Sequence, residues 1–103
     1  MSQWIDICHA EELAPGQRRL VDMGDDDEVL VLNIAGEYYA INNACPHAGA
    51  ALERGTVMGS VLVCPLHRWG FCLSTGQSLH NDNLYARTYG VVSAGERLYL
   101  VLD

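Results

Sequence analysis

Lysine is absent from this chain, and its six basic residues are all arginines set against thirteen acids. The resulting formal net charge of -7 repels phosphate backbones and argues against nucleic acid as a partner. A basic patch on another protein is the more natural counterpart. Long apolar runs are also lacking. Stretches such as Val29 to Leu32 fall far short of the roughly 20 residues that cross a bilayer, so no membrane role is expected. Residues 1–15 have neither the basic start nor the apolar middle of an export signal and carry Asp6, Glu11 and Glu12 instead. The expectation is a small, soluble, cytoplasmic protein.

Helical periodicity is equally scarce. Only His9 to Leu13 suggests a helical turn, and it stops at Pro15–Gly16. What is present is strand-like: Val29 to Ile34, Tyr38 to Ile41, Val61 to Val63 and Leu98 to Leu102 are short β-branched or aromatic runs. Turn clusters punctuate them, among them Ala35–Gly36, Asn42–Asn43, Thr75–Gly76 and Ala94–Gly95. The acidic run Asp25–Glu28 reads as a solvated loop between strands. Half the residues are hydrophobic, enough for a core without staples. These features predict an all-β fold, an antiparallel sandwich or small barrel, with one domain spanning residues 1–103.

Four cysteines could form two disulfides, but that requires an oxidising compartment for which no export signal argues. Metal-ligating thiolates are the better explanation. Two segments stand out: Cys45-Pro-His47 and, seventeen residues after His47, Cys64-Pro-Leu-His67. Each follows a strand-like stretch and supplies one thiolate and one imidazole, and the proline after each cysteine stiffens the loop. Gly49, Gly55, Gly59 and Gly70 lie close by, where they would let backbone approach a cofactor. Two Cys and two His can hold a tetrahedral zinc or a two-iron cluster. Zinc fingers usually pair Cys with Cys and His with His; one of each per loop favours a cluster with both thiolates on one iron and both imidazoles on the other.

The string CPHAGAALERG followed by CPLHRWGFCLSTG resembles the Rieske family, and the similarity covers nearly the whole chain. The resemblance implies an antiparallel β fold with one [2Fe–2S] cluster between two loops at one tip, held by Cys45, His47, Cys64 and His67. The two histidines would lie at the surface. One departure concerns Arg68, which stands where family members often have glycine and which bears on the path of the second loop. Neutral imidazoles replacing two thiolates leave the oxidised cluster two charges less negative than a four-cysteine one, which eases electron uptake. The implied role is a ferredoxin between a flavin reductase and a multicomponent aromatic-ring oxygenase, an electron carrier and not an enzyme. A 103-residue chain leaves no room for an oxygenase's own iron domain. The small subunit of an NAD(P)H-dependent nitrite reductase is the alternative, and a zinc-stabilised interaction module a distant one. High-potential relatives brace their loops with a disulfide and donate serine and tyrosine hydroxyls to the sulfurs. Here those places hold Ala50, Leu66, Trp69 and Phe71, so a low potential is expected.

Other residues have plainer expectations. Cys8 and Cys72 read as core or half-buried thiols, His9 and His80 as solvated, and Trp4 and Phe71 as core. Trp69 reads as core or as a shield for the cluster. Arg54 and Arg68 serve solubility or form a positive rim beside the ligand loops.

Overall fold

The computed structural model describes residues 3–46, 49–66 and 68–102. Among the described residues nine strands run in order: β1 (Gln3–His9), β2 (Arg18–Asp22), β3 (Glu28–Ile34), β4 (Glu37–Asn42), β5 (Thr56–Met58), β6 (Val61–Val63), β7 (Gly70–Cys72), β8 (Thr88–Ala94) and β9 (Arg97–Leu102). Every pairing among them is antiparallel, giving a six-stranded sheet ordered β1-β9-β8-β4-β3-β2 and a three-stranded sheet ordered β5-β6-β7. No helix among the described residues is long and apolar enough to cross a membrane.

The uninterrupted apolar run of β3 is explained by its position. Leu30 and Leu32 enter one core and Val29 and Val31 the other, following the period of two that a strand imposes. β4 divides likewise, Ile41 to the first core and Ala40 to the second. The turn between them, Ala35–Gly36, has both φ values positive (54° and 92°), as the twist of a tight hairpin demands. Buried Asn33 holds it: its Oδ1 accepts from the Gly36 N–H at 2.9 Å, and its amide donates to the Leu13 carbonyl at 2.9 Å. Ile7, Cys8, Leu98 and Leu100 of β1 and β9 close the second core. The first core joins the six-stranded sheet to the small one through Leu52, Leu62, Phe71 and Leu73. Burial of each such side chain stabilises the fold by about 1.5–3 kcal/mol. Cys45 and Cys64 belong to this first core, so it carries the two loops of interest.

Two expectations need correction. Trp4 is 50% exposed, lying against Tyr99 with ring centroids 5.5 Å apart. Strand alternation turns Trp4 and Asp6 outward, and a register shift between Asp6 and Cys8 lets both Ile7 and Cys8 turn inward. His9 is not simply solvated. It caps a single 3-10 turn, Ala10–Glu12, with Nδ1 accepting from the Glu11 N–H, while its own N–H donates to Glu12 Oε1 at 3.0 Å. That one turn is all that remains of the helical signal at His9 to Leu13. A second 3-10 turn, Leu52–Arg54, carries no comparable signal in the sequence.

Candidate metal centre

Both cysteine-bearing segments are hairpin ends of the same length. The first is closed by the pair Ala44 and Ala51, the second by Val63 and Gly70. In the first, the Cys45 N–H donates to the Ala50 carbonyl at 2.8 Å and the Gly49 N–H to the Cys45 carbonyl at 2.7 Å. In the second, the Cys64 N–H donates to the Trp69 carbonyl at 2.8 Å and the Arg68 N–H to the Cys64 carbonyl at 3.0 Å. At these described positions the two loops repeat each other's hydrogen bonds. The final turn of each needs a left-handed residue, supplied by Gly49 (φ 70°) and by Arg68 (φ 58°). Arg68 therefore keeps the loop path that glycine would allow, against a backbone preference of roughly 1 kcal/mol or more.

The loops are anchored from below. Asn43 accepts the Leu52 N–H on its carbonyl at 2.6 Å and the Glu53 N–H on its side-chain oxygen at 2.8 Å. Arg18, unremarkable in the sequence, donates from Nη1 to the carbonyls of Glu53 and Gly55, both at 2.7 Å. It ties β2 to the segment between the loops. Gly55 and Gly70 serve packing rather than approach to a cofactor. A Cβ on Gly55 would strike the Val63 carbonyl, and one on Gly70 would come 3.0 Å from Val61 Cγ1 and 3.1 Å from Leu79 Cδ1. Gly59 turns the β5–β6 hairpin at φ 62°.

Cys45 and Cys64 are buried, 2% and 0% exposed, within one core. His47 and His67 lie outside the described residues. Among the described residues no three His, Cys, Asp or Glu side chains gather as a metal site. What the structure offers is one buried thiol per loop, with both cysteine N–H and C=O groups fixed inside their own loops. That arrangement fits a cluster gripped from two sides; a finger would place both thiols on a single hairpin.

Trp69 is half-buried against the core that holds both cysteines, and the His80 ring lies 5.7 Å from it at 35°. His80 is exposed, as expected, and its ring also borders Trp69 of the second loop. The segment bearing it is held by Ser78, whose Oγ accepts from the N–H groups of His80 and Asn81 at 3.1 and 3.2 Å. Gln77 adds donation to the Asp82 carbonyl at 3.1 Å. No disulfide joins Cys8 to Cys72. Cys8 is buried, which raises its pKa, whereas half-buried Cys72 is lowered to about 7 by hydrogen bonds from Ser74 and Thr75.

Residues 3–90 match the Rieske [2Fe-2S] domain. The chain belongs to the Rieske [2Fe–2S] family. The family's cofactor is one [2Fe–2S] cluster, in keeping with the paired loops. Across its full length the chain is 34% identical to the 3-phenylpropionate/cinnamic acid dioxygenase ferredoxin subunit of Photorhabdus laumondii, of which it covers 97%. The ferredoxin of carbazole 1,9a-dioxygenase from Nocardioides aromaticivorans IC177 superposes with a TM-score of 0.84 at 32% identity, over 95% of this chain and 96% of that one. A protein described as an NADH-dependent nitrite reductase small subunit from Mycobacterium tuberculosis gives a TM-score of 0.87 over 100% of this chain and 97% of that one. At 22% identity, that likeness shows the shared Rieske fold alone.

Proposed function

We propose that Cys45, His47, Cys64 and His67 hold the cluster, and that the chain is the cytoplasmic ferredoxin that passes electrons from a flavin reductase to a terminal oxygenase. The repetition of one hydrogen-bonded loop around Cys45 and around Cys64 carries the ligand assignment. When bound, the cluster takes up and releases a single electron. The chain's own residues would hold it still: backbone bonds fix each cysteine, and Arg18 and Asn43 fix the loop bases. An electron carrier, rather than the enzyme that consumes the electron, is the reading supported by the ferredoxin subunits that the chain resembles. One domain over residues 1–103 suffices for this role.

The oxygenase assignment is supported by ferredoxin subunits that match the chain end to end at about one third identity. The nitrite reductase small subunit is the second reading, left open because the fold is shared by both groups. Metal and sulfide analysis of the purified protein is the first test: two irons and two sulfides per chain are expected, lost in Cys45→Ser and Cys64→Ser and kept in Cys8→Ser and Cys72→Ser. Zinc without visible absorption would overturn the ligand and carrier assignment together. Turnover reconstituted with an oxygenase component, set against a sirohaem reductase subunit, separates the two partners.

A further inference from the structure

Four of the six arginines are engaged. Arg18 donates to backbone carbonyls, Arg19 and Arg97 lie within 3.9 and 3.0 Å of Glu12 and Asp6, and Arg87 sits 4.8 Å over the Tyr89 ring. Arg54 and Arg68 have no carboxylate partner among the described residues, although acids outnumber bases thirteen to six. Both line the same groove of about 400 Å³, whose other walls include Thr56, Met58, Cys64 and Pro65. Met58 is 65% exposed, and Leu66, next along the loop from Pro65, is 63% exposed. The first loop is flanked by the opposite sign: Asp26, Asp27 and Glu28 border a depression of about 230 Å³ beside Ala44 and Gly49. The two ligand loops thus face solvent through flanks of opposite charge on a chain whose net charge is -7.

We propose that the groove between Arg54 and Arg68 docks an anionic segment of a protein redox partner, a carboxylate side chain set among apolar residues. Guanidinium groups match carboxylates in shape and charge, and unpaired ones are not already satisfied within the chain. Met58 and Pro65 cover the apolar neighbours of that carboxylate. Because Cys64 is part of the groove, its occupant lies against the second ligand loop, where an electron would have little protein to cross. Net charge alone points the other way, toward a basic partner, so local and global electrostatics give opposite signs for the same experiment. The inference rests on the electron-carrier reading and adds where, and to what chemistry, the carrier binds.

Two probes test it. Hexacyanochromate(III), a paramagnetic trianion, broadens nuclear resonances close to where it binds. In the oxidised protein it should broaden the methyl signal of Met58 and spare that of Met23, and the selectivity should vanish in Arg54→Gln/Arg68→Gly. Arg54→Gln alone, outside the ligand loop, should weaken it and guards against a disturbed loop. In stopped-flow, oxidation of the reduced protein by hexacyanoferrate(III) should slow as ionic strength rises. In the double variant it should be about tenfold slower at low salt and should speed up as salt screens the acidic body. A wild-type rate that rises with salt, or Met58 broadening that survives in the double variant, would overturn the docking proposal. Zinc in place of iron would instead sink the carrier reading, while the methyl map would still decide whether the groove takes an anion.

Discussion

Gly49 and Arg68 are counterparts: each donates its N–H to the carbonyl of the cysteine four residues earlier, and each has left-handed backbone, at φ 70° and 58°. Only one of them is the residue that this conformation favours. Glycine at position 68 would remove the penalty on a side chain at positive φ and restore some unfolded-state entropy, leaving a net gain of up to about 1 kcal/mol. Gly49→Ala should do the reverse and cost about 1 kcal/mol or more. Denaturant unfolding of the cluster-loaded protein checks both. A loss of stability in Arg68→Gly would mean that the Arg68 side chain holds the loop through contacts that outweigh its backbone strain.

Arg18 bridges β2 to the loop bases through two charge-assisted bonds of 2.7 Å to main-chain carbonyls. Arg18→Met keeps much of the apolar stem and deletes both donors. The expected cost is about 1.5–3 kcal/mol, the range for hydrogen bonds to charged groups. Because the carbonyls belong to Glu53 and Gly55, between the two ligand loops, cluster loss on heating should begin at a lower temperature than in wild type. Unfolding midpoints and bleaching of visible absorption, followed together, test this; unchanged values in both would remove Arg18 from the support of the site.

Local chemistry is legible in the sequence. The Cys-Pro motifs located both loops, and apolar runs located β3, β4, β6 and β9 to within a residue. The equivalence of the loops was hidden, because their histidines stand at different distances from the cysteines and suggest unequal loops. Equality appears only in the backbone pairs that close each hairpin, Ala44 with Ala51 and Val63 with Gly70. Arg18 meets its partners 35 and 37 residues away, and no local pattern encodes that. His80 reaches Trp69 through a turn set by Ser78, a residue whose burial the polar sequence around it conceals. Trp4 misled because one bulge inverts the inward face of β1. His47 and His67, the other half of the proposed ligand set, lie outside the described residues.

Cys72 and Cys8 should part company in their reactivity. Hydrogen bonds from Ser74 and Thr75 lower the Cys72 pKa to about 7, and the side chain is half-buried at the end of β7. Cys8 is 2% exposed and its pKa is raised by burial. Since the thiolate is the nucleophile, iodoacetamide should modify Cys72 at a rate that climbs with pH, reaches half its limit near pH 7 and then levels off. Below that pH the thiol is protonated and modification slows. Cys8 should stay unmodified in the folded protein throughout. Ser74→Ala should move the Cys72 midpoint upward, since the first of its hydrogen bonds is gone. Peptide mapping by mass spectrometry reads all three, and a Cys72 midpoint at an ordinary thiol value would show that Ser74 and Thr75 do not stabilise the thiolate in solution.

Phe71 governs the last prediction, that this centre lies toward the low end of the Rieske range, near -150 mV rather than the roughly +300 mV of the high end. Its ring is wholly buried in the core that also contains Cys45 and Cys64, and its backbone pairs with Leu62 and bridges to Ser78. It offers no hydroxyl to a sulfur, and neither does Trp69, so the thiolates keep negative charge that such donors would draw off. Phe71→Tyr adds one hydroxyl with little change in shape. A donor bond that strengthens by about 1 kcal/mol on reduction corresponds to about 40 mV for a one-electron couple, so a rise of tens of millivolts is expected. If the hydroxyl finds no acceptor, its burial costs about 1–3 kcal/mol of stability and leaves the potential where it was. Unfolding measurements beside the electrochemistry tell these apart. A wild-type midpoint well above zero would mean that donors other than the side chains of Trp69 and Phe71 serve the sulfurs, and that the place of Phe71 in this core does not set the potential.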